Sequence, residues 1–219
     1  MLTLAEVLPA EDVVRVMDGL ADVAFLDGRK TAAGDARAVK ANSQADSADP
    51  RVAALADFVK KAIERHPAFS AYVRPARWST LMFNRYGEGE TYGLHFDDPV
   101  MGKDEGRMRS DLSFTLFLCD PETYEGGALL IDGLDGEREI KLPAGAMVIY
   151  PTGALHQVTP VTSGVRHACV GWAQSLIRRD DERAILFDLA RVRWALPAGE
   201  TRLLLDKSVA NLVRLWGEV

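Results

Sequence analysis

Short strand-like segments separated by glycine-rich turns make up the middle of the chain. Of all the sequence features, this succession of strands and turns most restricts the folds that the chain can adopt. The turns include Gly126-Gly127 and Pro143-Ala144-Gly145. We expect strands over residues 76–86, 91–97, 111–119, 128–132, 137–141, 146–150, 155–161 and 165–175. Many short strands with turns of this kind predict a sandwich, jelly roll or small barrel.

Helical periodicity flanks this β region on both sides. Apolar residues recur at helical spacing over residues 9–22, 50–66 and, in two stripes, from about residue 179 onward, whereas residues 27–50 are polar and predict loop or extended structure. The two C-terminal stripes are too apolar to leave in water, so we expect them to cover the β core or a partner subunit. The order predicts an α+β protein with a helical buttress (1–75), a β core (76–177) and a C-terminal helical region (178–219).

Composition excludes several classes of function. The 26 basic and 32 acidic residues give a net charge of −6, which argues against a general nucleic-acid partner. No apolar run is long enough to cross a membrane, and the segment Met1–Asp12 has no Lys or Arg to begin a secretory signal. Two cysteines do not make a disulfide framework. Together these features predict a cytoplasmic protein.

Two of the four histidines stand in a pattern typical of a metal site. His95 and Asp97 are two residues apart in a predicted strand, so their side chains share one face. His156 begins a later strand after a Pro-Thr-Gly turn. Two imidazoles and one carboxylate form the facial triad of non-haem iron(II) oxygenases, which leaves positions open for a 2-oxo acid and dioxygen.

A basic residue follows this triad. Arg166 lies just after the Ser163-Gly164 turn, which we expect to fold its strand back beside that of His156. A guanidinium there could point into the cavity behind the metal and bind the distal carboxylate of a dicarboxylic acid as a fork.

With these residues in place, the chain resembles an iron(II)/2-oxoglutarate-dependent dioxygenase of the prolyl 4-hydroxylase type, and more narrowly the bacterial PKHD-type hydroxylases (the PiuC/YbiX group). The resemblance covers nearly the whole chain. Its most specific segments are Phe83-Asn84-Arg85-Tyr86, Thr91-Tyr92-Gly93-Leu94-His95-Phe96-Asp97, Lys141-Leu142-Pro143-Ala144-Gly145, Leu155-His156-Gln157-Val158-Thr159-Pro160-Val161 and Gly164-Val165-Arg166.

The resemblance implies a fold, a reaction and a set of roles. The fold would be a double-stranded β-helix (jelly roll) with flanking helices. His95, Asp97 and His156 would hold Fe(2+), while Arg166 and Tyr86 would bind 2-oxoglutarate, whose oxidative decarboxylation is coupled to hydroxylation of a second substrate. The family also implies ascorbate, which keeps iron reduced, and its association with iron uptake makes a siderophore-related molecule one candidate substrate and a protein residue another.

Several points stay open at the level of sequence. Ser113 or Thr115 could add a hydroxyl contact to the cosubstrate, Tyr92 is a candidate contact on the substrate side, and Trp172 is expected to pack. A homo-oligomer is compatible with the sequence. Two alternatives to the dioxygenase are a cupin-like metal-binding protein without turnover, which leaves Arg166 and Tyr86 unexplained, and a zinc hydrolase, which needs a general base and no 2-oxoglutarate.

Overall fold

The computed structural model describes residues 1–133 and 136–218. Its α-helices are Ala10–Ala21 (α1), Gly34–Ala38 (α2), Pro50–Arg65 (α3), Pro67–Val73 (α4), Asp180–Ala195 (α5) and Glu200–Trp216 (α6). Its strands are Leu2–Leu4 (β1), Phe25–Asp27 (β2), Lys40–Ala41 (β3), Ser43–Ala45 (β4), Pro75–Trp78 (β5), Met82–Tyr86 (β6), Thr91–His95 (β7), Val100–Met101 (β8), Met108–Arg109 (β9), Leu112–Phe117 (β10), Tyr124–Gly126 (β11), Leu129–Gly133 (β12), Gly136–Ile140 (β13), Met147–Pro151 (β14), His156–Val158 (β15), Val161–Gly164 (β16) and Arg166–Ser175 (β17).

Two antiparallel sheets form the β core. The major sheet has eight strands in the order β1-β14-β10-β17-β6-β4-β2, with β5 also paired to β17. The minor sheet has five strands in the order β13-β12-β15-β7-β3. Two further strand pairs, β11-β16 and β8-β9, complete the described topology. This arrangement, with helices added on one side, is the α+β jelly-roll architecture that the sequence predicted.

The apolar core lies on both sides of the major sheet. Strand β10 shows why, because its alternate residues face opposite ways. Leu112, Phe114 and Leu116 join a cluster that also includes buried residues of α1, α3 and α4. Phe117 joins a second, smaller cluster with apolar residues of the minor sheet. The helices therefore cover the outer face of the major sheet, and the minor sheet covers its inner face.

Most expected elements are present with modest shifts, and several boundaries are corrected. The helices predicted over 9–22 and 50–66 are α1 and α3. The strand predicted over 76–86 is two strands, β5 and β6, which pair with different parts of β17. Residues 27–50 contain a short helix and two short strands, β3 and β4, which lie in different sheets. Polar residues of these two strands line a cavity. The sequence therefore has no alternation of apolar and polar residues here from which the strands could be predicted.

The C-terminal helices pack less deeply than their apolar stripes predicted. Helix α5 buries Leu186 and Ala190, and its Phe187 ring meets Tyr72 of α4 edge to face at 5.3 Å. Helix α6 packs on α5 and has no buried residue. Helix α5 in turn packs on α4, so the stripe of α6 is not seen to cover the β core, and the other surface expected for it, a partner subunit, stays a prediction. Within the described residues, no helix has the length and hydropathy needed to cross a bilayer.

Candidate active site

Three side chains predicted as metal ligands lie together at one end of the minor sheet. His95 is the last residue of β7 and His156 is the first of β15, and the two are paired across the antiparallel ladder. Asp97 Oδ1 is 3.9 Å from His95 Nε2, and Asp97 Oδ2 is 3.7 Å from His156 Nε2. One ligand atom from each residue lies within 4.8 Å of the other two. Asp97 lies two residues beyond the end of β7, so the irregular segment after the strand positions it, and not the strand alternation that we expected.

Each histidine is oriented by a carbonyl group two residues earlier. His95 Nδ1 is 2.7 Å from the Gly93 carbonyl oxygen, and His156 Nδ1 is 3.0 Å from that of Ala154. A carbonyl only accepts, so each Nδ1 donates its proton to it, and Nε2 is then the ring nitrogen left to bind a metal. Burial, and then the neighbouring His156, lower the pKa of His95 to about 4. His95 is therefore neutral near pH 7, as a metal ligand must be.

Two donors from the major sheet hold one oxygen of Asp97. Trp172 Nε1 and Ser113 Oγ each donate to Asp97 Oδ2 at 2.8 Å. The two residues are neighbours in the ladder between β10 and β17. Ser113 Oγ also lies 3.1 Å from the hydroxyl of Thr152. These contacts fix the carboxylate plane and leave Oδ1 without a donor from this pair.

These contacts revise two interpretations made from sequence. Trp172 was expected to pack, and Ser113 was a candidate contact to the cosubstrate. The alternation of side chains along a strand could have indicated the position of Trp172. It lies an even number of residues after Arg166 on the same strand, so both side chains are on the same face of the sheet. Thr115 was the other candidate for a hydroxyl contact to the cosubstrate, and it lies beside the buried Tyr150. Burial raises the pKa of Tyr150, and a hydrogen bond with Thr115 opposes this rise.

Arg166 lies on the opposite wall of the same cavity. Its strand, β17, belongs to the major sheet, so the prediction that it folds back beside the strand of His156 is wrong. Strand β16 pairs with β11 and carries the chain across between the two sheets. Arg166 nevertheless points into the cavity, because its side chain is on the face of β17 that is turned toward the minor sheet.

The Arg166 guanidinium is buried without an anion. The residue is 1% exposed and forms no ion pair with any described residue, and its Nε has no hydrogen-bond partner. Its flanking groups are the rings of Tyr86 and Phe117, whose centroids lie 5.1 Å and 5.4 Å away. A buried charge without a counter-ion is costly, so this site is complementary to a carboxylate.

Two neighbours shape the space around Arg166. Tyr86 is its partner in the ladder between β6 and β17, and burial raises the pKa of Tyr86 to about 12, so its hydroxyl stays protonated. Gly127 has a φ of +60°, and a Cβ there would lie 2.9 Å from Val161 Cγ2 and 3.1 Å from Arg166 Cδ. Glycine at this turn therefore leaves room for the arginine stem.

A single cavity of about 730 Å³ joins these groups. Its lining includes the His-Asp-His cluster, Arg166 and Tyr86, together with residues from both sheets and from the β8-β9 hairpin. A space of this size accommodates a small dicarboxylate together with part of a second molecule. The donor set suits a divalent transition metal, since it is formed of two imidazoles and one carboxylate.

Comparison with known proteins agrees with this geometry. A profile of the 2OG-Fe(II) oxygenase superfamily matches residues 81–174. The chain is 44% identical to a PKHD-type hydroxylase of Hyphomonas neptunium over 100% of both chains. It is 50% identical to a PKHD-type hydroxylase of Maricaulis maris over 100% of this chain and 99% of the relative.

Solved structures are similar at the level of the fold. A prolyl-4-hydroxylase of Pseudomonas putida superimposes with a TM-score of 0.52 and 22% identity, covering 80% of this chain and 91% of its own. HygX from Streptomyces hygroscopicus, solved with nickel and 2-oxoglutarate bound, has a TM-score of 0.55 and 13% identity over 80% and 83% of the two chains.

Proposed function

The chain belongs to the PKHD-type hydroxylases of the 2OG-Fe(II) oxygenase superfamily, and from that premise we propose which of its residues hold the metal and the cosubstrate. The family makes the protein an iron(II)- and 2-oxoglutarate-dependent dioxygenase. The observation that carries the assignment of residues is one cavity with two features: a His-Asp-His cluster on one wall and a buried, unpaired arginine on the other.

The metal ligands in this proposal are His95, Asp97 and His156. Their fit is supported by the Nε2 atom that each histidine has left to bind a metal and by the carboxylate that Trp172 and Ser113 hold in place. When bound, iron(II) supplies the redox chemistry with dioxygen by which 2-oxoglutarate is decarboxylated and a C–H bond is hydroxylated. The chain's own contribution is to fix the three ligands on one side and leave the remaining side open to the cavity.

Arg166 and Tyr86 bind the cosubstrate in this proposal. 2-Oxoglutarate carries two carboxylates, and the distal one pairs with the Arg166 guanidinium, which no carboxylate of the described residues neutralises. The aromatic rings of Tyr86 and Phe117 beside the guanidinium exclude water from the pair and strengthen it. The protonated Tyr86 hydroxyl is a donor available to the same ligand.

Titration of 2-oxoglutarate into the anaerobic iron(II) protein tests this assignment. A charge-assisted hydrogen bond contributes roughly 1.5–3 kcal/mol, so Arg166→Ala is expected to weaken 2-oxoglutarate binding by about 10–100-fold. Arg166→Lys recovers only part of the affinity, because the second hydrogen bond of the fork is lost. The absorption band that 2-oxoglutarate produces with iron(II) reports the binding.

Arg85→Ala is the matched control. Arg85 lies next to Tyr86 on β6 but packs on the ring of Phe25, away from the cavity. Its removal deletes one guanidinium from the same strand pair and leaves the affinity unchanged. Parent-like affinity in Arg166→Ala would move the cosubstrate anchor elsewhere, and the absence of any 2-oxoglutarate band in the parent would favour a metal-binding protein or a zinc hydrolase.

The finer features of the function are also part of this proposal. We assign a cytoplasmic location, in keeping with the unpaired Cys119 and Cys169, and ascorbate as the reductant that keeps the iron in its divalent state. A siderophore-related molecule or a protein residue is the hydroxylated substrate, and a homo-oligomer remains compatible with the chain. Mass spectrometry of a cell extract incubated with the enzyme, searched for products that gain one oxygen atom, identifies the substrate directly.

A further inference from the structure

A second buried cation lines the cavity, on the wall opposite Arg166. Lys40 lies on β3, at the edge of the minor sheet, where it pairs with Tyr92 of β7. The residue is 5% exposed. Its Nζ is 4.8 Å from the centroid of the Tyr92 ring, and that ring stacks on His95 at 3.6 Å. The ammonium therefore lies close to the metal-binding cluster without belonging to it.

The hydrogen bonding of Lys40 is incomplete. Its Nζ donates to Thr31 Oγ1 at 3.1 Å and forms no ion pair with any residue of the described ranges. An ammonium has three protons, so two donors remain for a ligand. Burial lowers the pKa of Lys40 to about 8, which still leaves the cation predominant near pH 7.

A polar wall continues from Lys40 along the cavity. Thr31 Oγ1 is 2.5 Å from Gln44 Oε1, and Gln44 Nε2 donates to Asn84 Oδ1 at 2.7 Å. All four side chains line the cavity. Their hydrogen bonds to one another hold the Lys40 ammonium in one position, which is the preorganisation expected of a binding site.

The cosubstrate does not account for this cation. In the function proposed above, one carboxylate of 2-oxoglutarate pairs with Arg166 on β17 of the major sheet, and the other lies at the metal. Lys40 belongs to the minor sheet and forms no ion pair with a carboxylate of the described residues, and Asp97 and Asp27 act on its charge only at longer range. A buried cation facing a cavity is unfavourable unless a ligand supplies the opposite charge.

We propose that Lys40, supported by Thr31 and Gln44, binds a carboxylate group of the primary substrate, so that the molecule hydroxylated by this enzyme is an acid. This inference rests on the function proposed above, which assigns 2-oxoglutarate to Arg166 and the metal. The Tyr92 ring lies between Lys40 and His95, so a carboxylate bound by Lys40 would lie near the metal ligands.

Binding of a small carboxylate to the 2-oxoglutarate-saturated protein tests the proposal. The protein is loaded with zinc(II), which is redox-inert and diamagnetic, and saturated with 2-oxoglutarate so that Arg166 is filled. Propionate is then titrated and observed by saturation-transfer NMR. Lys40→Met, which keeps the length of the side chain and removes its charge, is expected to weaken propionate binding by about tenfold or more. Lys40→Arg retains binding, which separates loss of charge from loss of folding.

Lys30→Met is the matched control. Lys30 is exposed, lies next to Thr31, does not line the cavity, and carries the same charge. Its variant is expected to bind propionate as the parent does, and neutral propionamide is expected not to bind the parent. Equal affinity in Lys40→Met and the parent, or no propionate binding to the parent, would overturn the subsite. Tighter binding of inorganic phosphate than of propionate would overturn the choice of a carboxylate.

Failure of this proposal is distinguishable from failure of the proposed function. If 2-oxoglutarate binds the parent through Arg166 but propionate binds Lys40→Met as tightly as the parent, only the subsite is wrong. If 2-oxoglutarate itself does not bind, the proposed assignment of the cosubstrate fails and the subsite fails with it.

Discussion

The two faces of strand β10, in the major sheet, are both buried and chemically opposite. Every residue of β10 is buried, yet Leu112, Phe114 and Leu116 face the helices whereas Ser113 and Thr115 face the cavity. On the helix side, the side chains of β10 pack in a cluster of apolar residues. On the cavity side, Ser113 donates to Asp97, whereas Arg166 Nε has no hydrogen-bond partner among the described residues. Burial by itself therefore does not distinguish the face of β10 that packs on the helices from the face that lines the cavity, whereas the polarity of the side chains does.

The largest effect is expected on the cavity side. Asp97→Ala removes the only anionic ligand of the cluster, and turnover of 2-oxoglutarate is expected to fall by more than about 100-fold, since loss of even an outer partner of a ligand costs 10–100-fold. Succinate production and bound iron measure the outcome. Normal iron content with parent-like turnover would show that the metal is held elsewhere.

The opposite face is expected to respond in stability instead. Leu116→Ala, on the outer face of β10, leaves a cavity against its neighbours in β14 and β17 and is expected to cost about 2–5 kcal/mol of unfolding free energy. Urea denaturation measures it, and Ser113→Ala on the same strand is the control. Similar losses in both variants would contradict the distinction between the two faces.

A smaller effect is expected at Trp172, which both packs in the major sheet and donates a hydrogen bond to a metal ligand. Trp172→Phe keeps the aromatic packing and removes the donor to Asp97 Oδ2, so metal affinity is expected to fall about tenfold while the protein remains folded. Competition with a metal chelator measures the affinity. Trp78→Phe serves as the control, because Trp78 stacks on Phe69 and is not bonded to the cluster. Unchanged affinity in Trp172→Phe would reduce Trp172 to a packing residue.

An effect of about the same size is expected from pH. Burial, and then the charge of Arg85, lower the pKa of His167 from 6.5 to about 4. The unfolded chain binds this proton first as pH falls, so stability present above pH 6.5 is lost between pH 6.5 and 4, by roughly 1–2 kcal/mol at pH 5. Denaturation of the parent and of His167→Gln at pH 7 and pH 5 tests this. A variant as acid-sensitive as the parent would assign the effect to other groups.

Local patterns predicted the elements and the chemistry of the site. The strands and helices follow from hydrophobic periodicity, and the helix over 50–66 begins and ends at prolines that fix its limits. The His-Asp-His cluster could be predicted because two of its members are near neighbours in sequence. The role of Trp172 could not, because it depends on which residue lies across the cavity.

The sequence by itself determined the alternation of β10, the helices that cover one side of the sheet, and the residue types of the site, since each depends on neighbours a few positions apart. Tertiary structure alone decided that Arg166 faces the cluster from the other sheet, that Trp172 and Ser113 hold Asp97, and that Lys40 has no ion-pair partner among the described residues. The physical reason is distance along the chain. Contacts between residues of different sheets depend on how the two sheets pack face to face. No periodicity of neighbouring residues in the sequence specifies that packing.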